Sequence, residues 1–230
     1  MREGSLSYTA FCVEAELLHK QSHEVARKQT VGNGVSVATW QWRHGNRQHL
    51  DGNSYLVSTG NSRQYMPDAV GAKISEDMGG HIDDILLAEE DTLLEDDDVD
   101  TTVESKDANT ALLEFHIVYH TIYQTPVLYF RALAVDGTPL PDSAATLDAQ
   151  LPGSNGRSTF VAIEQHPVLG KPFSFLHPCE TAAAMQLLQD QVRTSTKSGA
   201  TTELEVPQYL ASWLSLVQPL TGISPHDYFR

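Results

Sequence analysis

With 230 residues and 40% hydrophobic content, the chain is long enough to bury a sizeable core, and its length points to one domain spanning 1–230 rather than several. A formal charge of −15 argues against nucleic acid and anionic membranes, which repel the same sign, and no segment of about 20 residues is apolar throughout. Two distant cysteines, Cys12 and Cys179, with no Cys-x-x-Cys pair, supply neither a disulfide framework nor a conventional zinc site, which suits a reducing, cytoplasmic setting.

In chain order, apolar residues Phe11, Val13, Ala15, Leu17, Leu18 and Val25 predict a helix over Ser7 to Lys28, ended by Gly32-Asn33-Gly34. Val35 to Arg43 and Tyr55 to Ser58 read as two strands and a turn, with Trp40 and Trp42 on one face, packed into the core. From Glu76 to Asp107 there are fourteen acidic residues and one lysine, Lys106, a balance of −13 that leaves −2 for the rest of the chain. That stretch, about 71–109, is expected to be a mobile acidic insertion, because so few apolar groups cannot offset the entropy of ordering it. The strongest β signal follows in Leu113 to Tyr123 and Val127 to Val135, with Pro126 between them and Asp136-Gly137 closing the second. Helices are expected near Thr181 to Val192 and over Tyr209 to Val217, before Pro219, with a polar break at Ser198 to Thr202. Strands first and helices last make an α+β domain.

The chemistry concentrates at one place. From Glu164 the chain runs through three prolines and a short apolar strand to His177-Pro178-Cys179, and a helix with Ala182, Met185, Leu188 and Val192 on one face begins at once. A cysteine there meets the unpaired N–H groups and positive dipole end of a helix, surroundings that favour a thiolate, and the flanking prolines limit its orientations. A thioester carrier needs one thiol, because the second nucleophile belongs to another molecule, together with a hydrogen-bond donor for the developing oxyanion. His177 is the nearest candidate donor, and Tyr119 on the neighbouring strand is another. His166, His177 and Cys179 also invite a zinc reading, but a closed site needs a fourth ligand and their spacing is unlike common zinc motifs. His116 and His120 share a strand face as ordinary strand residues.

Three blocks in order, Tyr119 to Ala132, His166-Pro167-Val168-Leu169-Gly170-Lys171-Pro172-Phe173 and His177-Pro178-Cys179, resemble the autophagy-related protein ten family. Trp40-Gln41-Trp42 with Tyr55-Leu56, and Tyr209 to Val217, extend the resemblance over most of the chain outside the acidic stretch. It implies an atypical ubiquitin-conjugating (UBC-like) fold, an antiparallel sheet flanked by helices, and a transferase that works without cofactor or metal. The cysteine, here Cys179, would accept the ubiquitin-like autophagy-related protein twelve from the activating enzyme, autophagy-related protein seven, and pass it to a lysine of autophagy-related protein five. The sister family, autophagy-related protein three, shares a His-Pro-Cys site, but the run Pro126 to Ala132 favours the ten type. Ordinary ubiquitin-conjugating enzymes place His-Pro-Asn before the cysteine; here Val168 follows His166-Pro167, so the oxyanion donor stays open. Two other readings compete. One is a non-catalytic binding module of the same fold that pairs a sheet edge with a partner strand. The other is a cysteine hydrolase using Cys179 with His177 or His166, which lacks an evident orienting Asn or Asp.

Overall fold

The computed structural model describes residues 3–30, 37–47, 50–65, 110–141, 144–145, 161–196 and 209–229. The acidic stretch expected at 71–109 and the polar break at Ser198 to Thr202 lie outside them.

The first helix, α1, spans Tyr8–Thr30. Ser7 caps it, its hydroxyl accepting the Ala10 N–H at 3.2 Å. Phe11, Ala15 and Leu18 fall four and three residues apart, which places them on one buried face.

The strands are β1 (Gln41–His44), β2 (Ser54–Gln64), β3 (Thr110–His120), β4 (Thr125–Ala134), β5 (Pro139–Leu140), β6 (Val161–Gln165) and β7 (Pro172–Leu176). They form one antiparallel sheet in the order β1-β2-β3-β4-β7-β6, with β5 returning beside the end of β4. Beyond β7 lie α2 (Thr181–Thr196) and α3 (Tyr209–Thr221). The α+β architecture expected from the sequence is therefore present, with all three helices on one face of the sheet, where Phe11, Phe115, Ile117, Phe130, Met185, Leu210 and Trp213 share a core. Each such side chain taken out of water contributes about 1.5–3 kcal/mol.

The opposite face carries a smaller cluster of Tyr55, Val57, Val118, Val127, Tyr129, Phe173 and Phe175. No described helix packs there. Phe173 and Phe175 belong to β7 itself, so the approach to Cys179 is part of this second core.

Four expectations need correcting. Trp40 is buried, as expected, but precedes β1 instead of lying in it. Its backbone is held by α1: Ser22 Oγ accepts its N–H at 3.0 Å, and His19 Nδ1 lies 2.6 Å from its carbonyl oxygen. Tyr123 is in the β3–β4 turn rather than at the end of β3. Pro126 lies one residue into β4, opposite Tyr119, at a strand start where a missing donor is tolerated. Pro219 falls inside the last turn of α3, where its missing N–H leaves free only the carbonyl of exposed Ser215.

One tie between helices is polar. Buried Glu14 of α1 accepts the Leu210 N–H through Oε2 at 2.5 Å, so a carboxylate from another helix caps the start of α3. Burial raises the Glu14 pKa more than the backbone N–H groups of Leu210 and Tyr209 lower it.

Candidate active site

β7 delivers the chain to the thiol. Phe175 lies opposite Tyr129 of β4, and Leu176 lies opposite Val161 of β6, which fixes the strand between two neighbours. His177 is extended, at φ −62° and ψ 127°, and caps a single 3-10 turn, Pro178–Glu180, that runs directly into α2. Pro178 is buried and restricts the backbone at the first position of that turn, while Cys179 is exposed.

Cys179 thus lies where the sequence places it, at a strand-to-helix junction, with one difference. Its own N–H is not free: it donates to His177 Nδ1 at 3.2 Å. A backbone N–H can only donate, so Nδ1 carries no hydrogen and a neutral His177 ring carries its proton on Nε2. The ring therefore presents an N–H donor on its far side. The Tyr123 ring meets His177 edge-on at 5.6 Å, and Phe175 lies 5.9 Å away at a tilt, which leaves the imidazole few orientations.

Sequence reasoning misses Tyr123 because its β propensity counts it into a strand. The available signal is its place in a hairpin turn, where an aromatic ring has no core of its own to enter. Behind it, His120 packs on its ring at 4.9 Å and accepts its N–H through Nδ1 at 3.3 Å. Burial lowers the His120 pKa, with Glu164 pulling it up and the neighbouring His177 pulling it down. His120, Asp51, Tyr119, Tyr129, Glu164 and Pro167 line a cavity of about 250 Å³ on this side of the sheet. Tyr119 is not placed to serve as the oxyanion donor, because its hydroxyl donates to the Leu6 carbonyl at 2.9 Å.

His166 takes no part in the thiol site. It is fully buried at the head of a turn in which the Gly170 N–H donates to the His166 carbonyl at 2.8 Å and Gly170 adopts φ 64°. Only glycine takes that left-handed conformation without strain. Inside the turn, His166 Nδ1 accepts the N–H groups of Val168 and Leu169, both at 3.2 Å, so the ring hydrogen sits on Nε2. Nε2 then donates to His116 Nδ1 at 3.0 Å, and His116 Nε2 donates to Glu114 Oε1 at 2.7 Å. Arg131 Nε closes the chain on Glu114 Oε2 at 2.6 Å.

His116 is consequently a buried, fully bonded strand residue. Burial pushes the His166 pKa down to about 3, helped by the close approach of the His116 ring. Burial alone would raise the Glu114 pKa, but hydrogen bonds from His116 and Arg131 outweigh it and hold the carboxyl below its ordinary value. Among the described residues no group of three or more His, Cys, Asp or Glu could hold a metal ion, and His166 is shut away from exposed Cys179. Nor, among those residues, is any helix long and apolar enough to cross a membrane.

The family model for the autophagocytosis associated protein, active-site domain, matches residues 10–228. The chain belongs to that family. It is 32% identical over 149 residues to the ubiquitin-like-conjugating enzyme ATG10 of Arabidopsis thaliana, covering 61% of this chain and 63% of the relative. To the ubiquitin-like-conjugating enzyme ATG10 of Homo sapiens it is 34% identical over 127 residues, 51% of this chain and 52% of the relative. Autophagy-related protein 3 of Kluyveromyces marxianus matches at 30% over 147 residues, 55% of this chain and 47% of the relative. The chain thus spans about half to three-fifths of the length of these relatives. The matches agree with the resemblance carried by Tyr119 to Ala132 and His166 to Cys179.

Proposed function

We propose that the chain is a ubiquitin-like-conjugating enzyme of autophagy, acting in the cytoplasm, with Cys179 as its carrier thiol. Cys179 Sγ attacks the carbonyl carbon of the modifier's terminal thioester on the activating enzyme; an S–C bond forms, and the activating enzyme leaves as a thiolate. A neutral lysine amine of the acceptor then attacks the same carbon. The C–N bond forms, the C–Sγ bond breaks, and the surplus amine proton passes to solvent. Following the resemblance, the modifier is autophagy-related protein twelve, the activating enzyme autophagy-related protein seven and the acceptor autophagy-related protein five.

The observation that carries this reading is the exposed Cys179 thiol, held at the head of α2 beside a His177 ring whose outward nitrogen bears hydrogen. Such a ring suits stabilisation of an oxyanion rather than removal of a proton from the thiol. The hydrolase alternative needs a free imidazole lone pair. That of His177 is bonded to the Cys179 N–H, and that of His166 to two backbone N–H groups.

The test mixes the chain with activating enzyme, modifier and ATP and resolves the products on non-reducing gels. The expected product is an adduct that thiols release and that peptide mapping assigns to Cys179. Its failure to appear with a partner system that loads another carrier would favour a non-catalytic binding module. The donor role is tested separately on the preloaded thioester. His177→Ala is expected to slow discharge to lysine about 100-fold. His177→Gln, whose amide N–H reaches as far as Nε2, should recover most of that loss. Equal discharge by wild type and both variants would remove His177 from the donor role.

A further inference from the structure

The segment ahead of α1 makes contacts that nothing in the thiol chemistry yet uses. Gly4 is buried, at φ 75°, and a Cβ on it would lie 1.9 Å from the carbonyl oxygen of Ala182, three residues beyond Cys179. The same Cβ would come within 3.0 Å of the Gln186 backbone nitrogen, so the segment lies against the first turns of α2. Gln186 Nε2 donates to Glu3 Oε2 at 2.8 Å, and the Tyr209 hydroxyl donates to the Gly4 carbonyl at 2.7 Å.

Two residues on, the segment reaches the β3–β4 turn. The Leu6 N–H donates to the Gln124 carbonyl at 2.8 Å, and the Leu6 carbonyl accepts the Tyr119 hydroxyl at 2.9 Å. Gln124 is the non-glycine residue at positive φ, 55°, among those described, and it directly follows Tyr123. A side-chain-bearing residue in that region is strained and persists only where surrounding contacts hold it. The turn's own bond, Gln124 N–H to the His120 carbonyl at 2.7 Å, is one such contact, and the Leu6 bond is a second from outside the turn.

We propose that residues 3–6 form a positioning strap that ties the first turn of α2 to the β3–β4 turn and thereby sets Tyr123 against His177 beside Cys179. The tie is direct at both ends: one end rests on Ala182 and the other holds Gln124. Tyr123 and His177 face each other across the gap it spans. Gly4 is the residue the strap most depends on, because any side chain there forces it away from α2. Its effect on turnover rests on the conjugating reading above, whereas its effect on ring geometry does not.

The experiment uses the full chain carrying Gly4→Ala, with Tyr209→Phe and Tyr119→Phe as milder variants that remove one strap hydrogen bond each and keep the ring. The first readout is the NMR signal of the His177 imidazole, which the Tyr123 ring current shifts. Gly4→Ala is expected to move it toward its position in a Tyr123→Leu chain. The second readout is discharge of preloaded thioester to lysine, expected to fall about tenfold in Gly4→Ala at temperatures where thermal melts show it folded, with loading by the activating enzyme less affected. Should Gly4→Ala fail to fold, Tyr209→Phe and Tyr119→Phe must each move the His177 signal in the same direction. An unmoved His177 signal in folded variants overturns the strap. A wild-type chain that never loads overturns the conjugating reading instead and leaves the ring-geometry test standing.

Discussion

Replacing Cys179 by serine is expected to leave the chain bearing its modifier through an oxygen ester that thiols do not release, while replacement by alanine leaves it bare. The two outcomes follow from what the site supplies to the nucleophile. An alkoxide leaves far less readily than a thiolate, so an ester formed on the substituted serine should accumulate where the thioester turns over. Formation should also be slow. A serine hydroxyl is a weak nucleophile without an adjacent base, and the nearest imidazole, His177, has its Nδ1 lone pair committed to the backbone N–H of residue 179. The expected pattern on non-reducing gels is therefore a rapid, thiol-sensitive band for wild type, a slow and thiol-resistant band for Cys179→Ser, and none for Cys179→Ala. A thiol-sensitive band persisting in the alanine chain would move the carrier role to Cys12, the other free cysteine, whose thiol pKa burial raises and which is hydrogen-bonded to Tyr8.

How much of this is legible in the sequence depends on the range of the interaction. The junction at Cys179 is readable because its signals are local: prolines on the approach, then apolar residues at helical spacing. The long strands β3 and β4 announce themselves through β-branched and aromatic runs, although composition misplaces the turn between them. Gln124 stands in a conformation its residue type gives no hint of, set by the turn in which its N–H donates to the His120 carbonyl at 2.7 Å and tied to Leu6 from more than a hundred positions away. Composition puts Trp40 in a strand, and His19 and Ser22 of α1 claim its backbone instead. The Trp40 error comes from tertiary contacts overriding local preference. The same limit hides the roles of the histidines. Nothing in the spacing of His116 and His166 shows that β3 and the turn after β6 bring them edge-on into a 3.0 Å hydrogen bond, or that His166 spends both its nitrogens there. Tyr123 needs the hairpin geometry before its contact with His177 becomes visible.

That buried pair carries the second large expected effect, and it is one of stability. His166→Ala removes a filled volume and strips two backbone N–H groups and His116 Nδ1 of their partner, for an expected loss of about 3–5 kcal/mol, a large part of the stability of a domain this size. His166→Asn should cost about half as much, because an asparagine Oδ1 sits where Nδ1 does and can still accept from Val168 and Leu169. The two variants separate the turn from the relay, since the asparagine does not reach His116. Acidity supplies an independent check. The folded-state pKa of His166, about 3, lies below the ordinary histidine value of about 6.5, so between those limits the unfolded chain binds the extra proton. Stability is then full above about pH 6.5 and falls as the pH drops, by about 2 kcal/mol from this one group at pH 5. Glu114, held below its ordinary value, pulls in the same direction only at lower pH, where carboxylates titrate. Urea midpoints for wild type and His166→Asn at pH 7 and pH 5 isolate the histidine: wild type should lose about 2 kcal/mol more than the variant over that interval. Equal losses in the two chains would mean that His166 takes up its proton in the folded state, and the one-directional chain of donors from His166 to Glu114 would then have to be redrawn.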